Sequence, residues 1–189
     1  AFYKCKSIGE IPIYESTGYG RHAFEGIESI VIKNGPKFIL KKLFSKYRFL
    51  KEIRIPDSVI RIHKKAFRLC TSLEKVILPN FLTNIEANTF YGCKSLKEIL
   101  IPNTVTSIDE KAFFDCISLE KVTIPQLVTK IKDGIFQYCK NLKEIILSPC
   151  IEMIDRYLFY GCSSLESISI PQSVITIGSN TFGKCSSLK

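Results

Sequence analysis

The chain has 189 residues, of which 46% are hydrophobic, and 27 Lys and Arg against 18 Asp and Glu give it a formal net charge of +9. This composition excludes a disordered polypeptide, and no apolar run approaches the ~20 residues that a membrane-spanning helix needs. With two histidines and one methionine, the chain has few residues that suit metal or catalytic chemistry.

Apolar residues recur every 23 positions along the chain. Self-similarity at a fixed period of this size indicates a solenoid, in which each repeat forms one coil and buries its apolar side against the next coil. Three columns keep the period: leucines at 50, 73, 96, 119, 142, 165 and 188, phenylalanines at 44, 67, 90, 113, 136, 159 and 182, and cysteines at 70, 93, 116, 139, 162 and 185.

Each period opens with a short β segment, and a proline follows the segment in most copies. Proline has no N–H for a further ladder bond and therefore ends the sheet at one line across the repeats. Because the chain returns to the same place after each repeat, successive strands must run parallel. We predict one sheet of about eight strands, at residues 8–13, 27–32, 50–55, 73–78, 96–101, 119–124, 142–147 and 165–170.

The residues between strands are too few for a full helix with two turns. We therefore expect a short extended piece and a helical turn on the return path, which gives a β-dominated α/β architecture. Residues 1–49 are irregular, with a shorter unit at 8–26 and Tyr47 in place of a cysteine, whereas residues 50–189 are regular. We expect one solenoid domain over 1–189, and because both ends fall within a repeat we expect further repeats beyond them.

The even number of cysteines allows two interpretations. Stacked coils would bring neighbouring cysteines close enough for bridging, since strands lie ~4.8 Å apart. Cysteine is also among the most buried residue types and packs as a small hydrophobe, so we favour a reduced core over bridges for the column. Cys5 and Cys150 need separate treatment, because Cys150 lies outside the column.

The two residues after each column leucine alternate in sign from repeat to repeat. Lys51-Glu52 is followed by Glu74-Lys75, and the alternation continues to Lys143-Glu144. Opposite charges would thus face each other on every adjacent strand pair, which favours one register. We expect each exposed pair to contribute only ~0.2 to 1 kcal/mol.

The repeat pattern resembles a known family. The unit LxxIxIPxxVxxIxxxAFxxCxSLxxI, seen from Leu96 to Cys116, is similar to the BspA-like class of leucine-rich repeats. The resemblance covers nearly the whole chain and is weakest at residues 14–26. It implies a right-handed leucine-rich-repeat solenoid with a parallel sheet on one face. It also implies adhesion or protein binding, often at a cell surface, and brings no catalytic residue or cofactor.

The leading function predicted is a non-enzymatic scaffold that binds another protein through the strand face. The outward residues in the middle of the strands form its candidate site: Arg54, Ile77, Leu100, Thr123 and Ile146, with Val31 and Ser169 in the same column. Apolar residues grouped on an exposed sheet suggest a protein-binding patch. A neighbouring segment of a longer chain would cover the same residues equally well.

The alternative function is an electrostatic anchor. Residues 33–68 hold twelve Lys or Arg against Glu52 and Asp57, so this stretch accounts for the whole net charge. Such a surface attracts an acidic protein, anionic lipid or glycan, with nucleic acid a weaker candidate; a merely solvated face is the other interpretation. Its candidate residues are Lys37, Lys41, Lys42, Lys46, Arg48, Arg61, Lys64, Lys65 and Arg68. The family resemblance suggests a cell-surface protein, while reduced cysteines and the absence of glycosylation sequons leave the cytoplasm open.

Overall fold

The computed structural model describes residues 7–11 and 26–189, with backbone only for the first stretch. Cys5 and most of the irregular unit at 8–26 lie outside the described residues. The described chain consists of short strands and turns: β1 Ser7–Ile11, β2 Ser29–Ile32, β3 Phe38–Ile39, β4 Glu52–Arg54, β5 Arg61–Ile62, β6 Lys75–Ile77, β7 Asn84–Ile85, β8 Ser107–Ile108, β9 Lys121–Thr123, β10 Lys130–Ile131, β11 Glu144–Ile146, β12 Met153–Ile154 and β13 Thr176–Ile177.

The parallel sheet expected at the start of each repeat is present. Strands β1, β2, β4 and β6 form one ladder in that order, and β9 pairs with β11. Ile53 of β4 aligns with Val76 of β6, so neighbouring coils are in register at a shift of one repeat. These residues point inward and are buried, because side chains alternate between the two faces of a strand.

Two of the expected strands are wrong in detail. At 96–101 the structure has a single bridge, from Glu98 to Lys121, and at 165–170 it has no strand. Leu96 and Leu165 are nevertheless buried in the leucine column. The chain keeps its solenoid path there, and what is missing is a continuous run of ladder hydrogen bonds.

The return path corrects the expectation of one sheet with helical turns. It carries a second parallel ladder of two-residue strands, which falls into two sets. In the first set β3 pairs with β5. The second set contains β7, β8, β10, β12 and β13 in that order. Each strand before β13 buries one isoleucine, such as Ile85 and Ile108, which align with each other, whereas Ile177 of β13 is exposed. A β-branched residue favours extended backbone, and turns complete the coil without any helix in the described ranges.

The turns of the return path have left-handed backbone at two positions in each coil. In the coil that contains Phe67 these are Lys65, with φ 64°, and Leu69, with φ 63°. Non-glycine residues rarely adopt this conformation, which costs ~1 to 2 kcal/mol. Hydrogen bonds to the next coil hold it, with the Lys65 N–H donating to the Ala87 carbonyl and the Leu69 N–H to the Tyr91 carbonyl.

Phenylalanine rings stack through the core along the solenoid axis. From Phe44 to Phe159 neighbouring rings lie 5.3 to 6.1 Å apart between centroids and within 6° of parallel. All of these side chains are fully buried. The stack joins a core of isoleucine, leucine and valine that continues from Ile27 to Leu165.

The cysteine column lies in this core as free thiols. Each thiol donates a hydrogen bond to the carbonyl of the phenylalanine 26 residues earlier, as Cys93 does to Phe67 at 3.2 Å and Cys70 to Phe44 at 2.9 Å. No cysteine of the described residues is disulfide-bonded, and Cys150 is exposed. The column thus links adjacent coils by hydrogen bonds as well as by packing.

Nothing in the described part of the chain is a helix suited to crossing a bilayer.

Candidate functional site

The strand-face candidates occupy one outward column on the first ladder. The register places Arg54 beside Ile77 and Thr123 beside Ile146. Leu100 is 86% exposed and Ile146 48% exposed, whereas Ile77 is only partly exposed. The face therefore presents two strongly exposed aliphatic side chains, those of Leu100 and Ile146, and a partly exposed one, that of Ile77.

Two more apolar side chains, which the repeat pattern does not predict to be exposed, extend this face. Phe81 and Leu127 lie in the turn after the proline and are 63% and 56% exposed. Other coils place a hydroxyl here, and the Thr104 hydroxyl donates to the carbonyls of Asn80 and Leu82 in the preceding coil. In the sequence, these two positions differ from other repeats because they carry an apolar residue in place of a serine or threonine that hydrogen-bonds the preceding coil. This difference could have indicated their exposure.

Charges beside the apolar column are largely paired within the sheet. Lys51 contacts Glu28 at 2.9 Å and Lys143 contacts Glu120 at 3.1 Å. In the adjacent column, Lys121 contacts Glu144 at 2.7 Å; Lys75 and Glu52 are 3.6 Å apart. The hydrogen bond to Glu28 raises the pKa of Lys51. These pairs connect adjacent coils, as the alternating signs predict.

The basic candidates are spread over two coils, and two of the arginines have partners. Arg61 Nε donates to Glu86, and the Arg68 guanidinium lies 4.8 Å from the centroid of the Tyr91 ring. Partial burial raises the pKa of Glu86, but hydrogen bonds from Arg61 and from the Lys64 amide outweigh it and the net pKa is lowered.

The lysines of the return turn differ from these arginines. Lys41 and Lys42 lie in one coil, and Lys64 and Lys65 occupy the same positions in the next coil. Lys46 and Arg48 follow on the outer side of the first of these coils and are exposed. The most concentrated unpaired positive charge is thus at the turn after the second ladder.

A shallow groove of about 850 Å³ crosses the second ladder. Its walls carry Arg61, Glu86, Asp109 and Lys132, of which Lys132 donates to Asp109 as Arg61 does to Glu86. His63 lies 3.6 Å from Glu86, but within residues 26–189 no serine, threonine or cysteine hydrogen-bonds to its side chain. The described residues contain no cluster of three His, Cys, Asp or Glu that could hold a metal ion. The groove therefore has a charge-paired wall and no nucleophile–base pair at His63.

A row of aromatic side chains on the outer return turns was also missed by the sequence analysis. The Tyr91 and Phe114 rings stack at 4.6 Å, and edge contacts continue from Phe114 to Tyr138 and from Tyr138 to Tyr160. The rings are half-buried and turn faces or edges to one another. This row joins successive coils, and offset or edge-to-face geometry is the favourable one for such pairs.

Comparison with known families agrees with this architecture. A model of the BspA type leucine rich repeat region matches residues 1–119 and 60–189, in six copies. No curated protein matches the chain. The repeat is a scaffold typical of surface proteins and is generally non-catalytic.

Solved bacterial structures share the fold. A leucine rich repeat protein of T. pallidum is 28% identical, with 96% of this chain and 83% of that chain covered and a TM-score of 0.82. A leucine-rich repeat protein of Bacteroides ovatus is 31% identical, with coverages of 95% and 44% and a TM-score of 0.76. A leucine rich cell surface protein of Faecalibacterium prausnitzii is 31% identical, with coverages of 97% and 47% and a TM-score of 0.72.

The chain spans less than half of the length of the Bacteroides and Faecalibacterium proteins. The family match extends over both its irregular and its regular repeats. With its parallel ladders, its phenylalanine stack and its column of buried cysteines, the chain belongs to the BspA-type leucine-rich-repeat family.

Proposed function

We propose that the chain is a non-enzymatic interaction and adhesion scaffold that binds a protein partner through the face of its first ladder. The observation that carries this proposal is the exposure of Leu100 in the middle of that face, at 86%. Exposed apolar side chains are common singly, but a contiguous group on a rigid sheet is typical of an interface.

Four strongly exposed apolar residues support such a group. Ile146 lies on strand β11 and Leu100 lies two residues after the Glu98 bridge, while Phe81 and Leu127 lie in the turn just beyond the prolines. Burying one such side chain against a partner contributes ~1.5 to 3 kcal/mol before the cost of association. Together they can supply the apolar centre that a stable interface requires.

The partner's chemistry follows from the charges that surround these residues. Since Lys and Glu of adjacent coils pair within each neighbouring column, a charged partner would gain little attraction there. An apolar segment of another protein, bordered by polar groups, complements this face best. We name this surface, made of Ile77, Phe81, Leu100, Leu127 and Ile146, the apolar strand face.

A matched pair of double variants tests the proposal. Leu100→Glu with Ile146→Glu places two carboxylates on the apolar strand face, and Ile60→Glu with Ile175→Glu does the same at exposed isoleucines of the return path. Proteins would be captured on immobilised wild type and on both variants, and each capture quantified by mass spectrometry.

We expect the first variant to lose a partner that wild type and the second variant retain. A buried unpaired charge costs several kcal/mol, so the loss should be nearly complete. Equal capture by all three proteins, with both variants folded by circular dichroism, would show that the partner binds elsewhere.

A further inference from the structure

Four lysines form a like-charged square at the turn after the second ladder. β3 and β5 align Ile39 with Ile62, and beyond the turn the Phe44 N–H donates to the Ala66 carbonyl. Pairing on both sides of the turn fixes Lys41 beside Lys64 and Lys42 beside Lys65, one coil apart. We call these four residues the lysine square; three of its side chains are exposed and that of Lys65 is half-buried.

The backbone holds these charges together rather than letting them separate. Lys42 and Lys65 have left-handed backbone, with φ of 62° and 64°, and the Lys65 amide is bound to the next coil. None of the four side chains forms an ion pair with any residue in the range 26–189. Like charges placed directly opposite each other destabilise a ladder, so this arrangement costs folding free energy.

The same rows in later coils solve the problem differently. In the row that contains Lys41 and Lys64, Asp133 is bound by a base one coil away, since Arg156 contacts it at 2.8 Å. The Arg156 guanidinium gives Asp133 two N–H donors. The fold can therefore pair charges at this turn, and the lysine square is a local departure from that solution.

We propose that the lysine square is a binding site for a linear sulfated polysaccharide. A sulfate ester carries one negative charge on three terminal oxygens, so one group can accept hydrogen bonds from several ammonium groups about 5 Å apart. Lys46 and Arg48 continue the positive charge along the same coil, past the turn. A chain with regularly spaced sulfates can follow this path.

The shape of the basic surface favours a flexible linear ligand over two other polyanions. The exposed basic residues of the first coil follow one another along the turn, from Lys41 and Lys42 through Lys46 to Arg48, and this linear order suits an extended polyanion better than a flat bilayer. Single-stranded nucleic acid binds where successive bases stack on exposed rings. The described basic stretch from Lys33 to Arg68 has one strongly exposed ring, Phe49.

Binding would be measured with size-defined heparin oligosaccharides by isothermal titration calorimetry on the whole chain. Lys41→Gln with Lys64→Gln removes two charges from the lysine square. Lys130→Gln with Lys140→Gln removes two from exposed lysines that form no ion pair with any of the described residues. We expect the first variant to bind about tenfold to thirtyfold more weakly and the second to bind as wild type does. An equal loss of heparin affinity in both variants would show that only net charge matters, and it would overturn the assignment of the lysine square as the binding site.

Competing probes separate the sulfated chain from other polyanions. Polyglutamate, oligothymidylate and vesicles that contain phosphatidylserine would be tested at the same charge concentration. We expect each to bind more weakly than heparin; a probe that binds equally well or better would overturn the assignment to a sulfated polysaccharide.

A stability measurement tests the site even if a variant loses binding for another reason. Lys41→Glu would place an acid beside Lys64, as Asp133 lies beside Arg156. At low salt this variant should melt at a higher temperature than wild type, because it turns a repulsive pair into an attractive one. An unchanged or lower melting temperature would show that the lysines do not repel each other and would remove the argument for the site.

Discussion

At the scale of single residues, the buried thiols are the groups whose chemistry the fold changes most. Desolvation raises the pKa of Cys70 to about 12 and holds the pKa of Cys93 and Cys139 well above the ordinary value. The thiolate, not the thiol, reacts with oxidants and metals. These cysteines therefore act as packing groups and hydrogen-bond donors.

The raised thiol pKa values predict a loss of stability at high pH. Since the folded pKa lies above the unfolded one, the proton stabilises the folded state fully below about pH 8.5, and this contribution is lost as pH rises toward the folded pKa. We expect the melting temperature to fall steeply above pH 9. Circular dichroism melts across this range would measure it.

A triple variant separates the thiols from other groups that titrate in this range. Cys93→Ala, Cys116→Ala and Cys139→Ala together should give a lower melting temperature at neutral pH but a shallower fall above pH 9. An equally steep fall in this variant would mean that tyrosines or lysines, and not the cysteine column, cause the alkaline loss.

At the scale of elements, the alternating charges bind one coil to the next in a fixed register. Glu98 lies between Lys75 and Lys121 in its column, and it bridges to Lys121 through the backbone. Changing Glu98 to glutamine removes attraction, whereas changing it to lysine adds repulsion on both sides.

We therefore expect Glu98→Lys to destabilise the chain more than Glu98→Gln does, by roughly 0.5 to 1 kcal/mol, since exposed pairs contribute ~0.2 to 1 kcal/mol each. Urea unfolding at low and high salt would measure the difference, which should shrink at high salt. Equal free energies of unfolding for the two variants at low salt would contradict a role of this column in register.

The first ladder could be predicted from the sequence because its pattern is long. Leucine, alternating apolar residues and a proline recur together in each repeat, and they place Leu100 outward by simple alternation. The second ladder was missed because its strands have two residues each. A single buried isoleucine, such as Ile85, gives too short an alternation to distinguish a strand from a turn.

Contacts between side chains were harder to foresee than strands. Arg61 was grouped with the free basic residues, yet its side chain reaches Glu86 in the next coil. Phe81 and Leu127 were missed because their exposure depends on the geometry of the turn after the proline. Register follows from a repeating sequence, whereas the reach of a long side chain does not.

At the scale of the whole molecule, the coils arrange two surfaces of different chemistry. The apolar strand face lies on the first ladder among charges that pair with each other. The lysine square lies at the return turn of the N-terminal coils, and its own side chains form no ion pair with residues 26–189. Binding to the first should depend on desolvation of apolar groups, and binding to the second on electrostatic attraction.

The most direct test of the central claim is the salt dependence of the affinity for a captured protein partner, measured by surface plasmon resonance. If the apolar strand face binds it, the dissociation constant should change little between low and moderate salt, and Leu100→Glu with Ile146→Glu should abolish binding. A dissociation constant that rises steeply with the logarithm of salt concentration, together with binding that survives this double variant, would contradict the account.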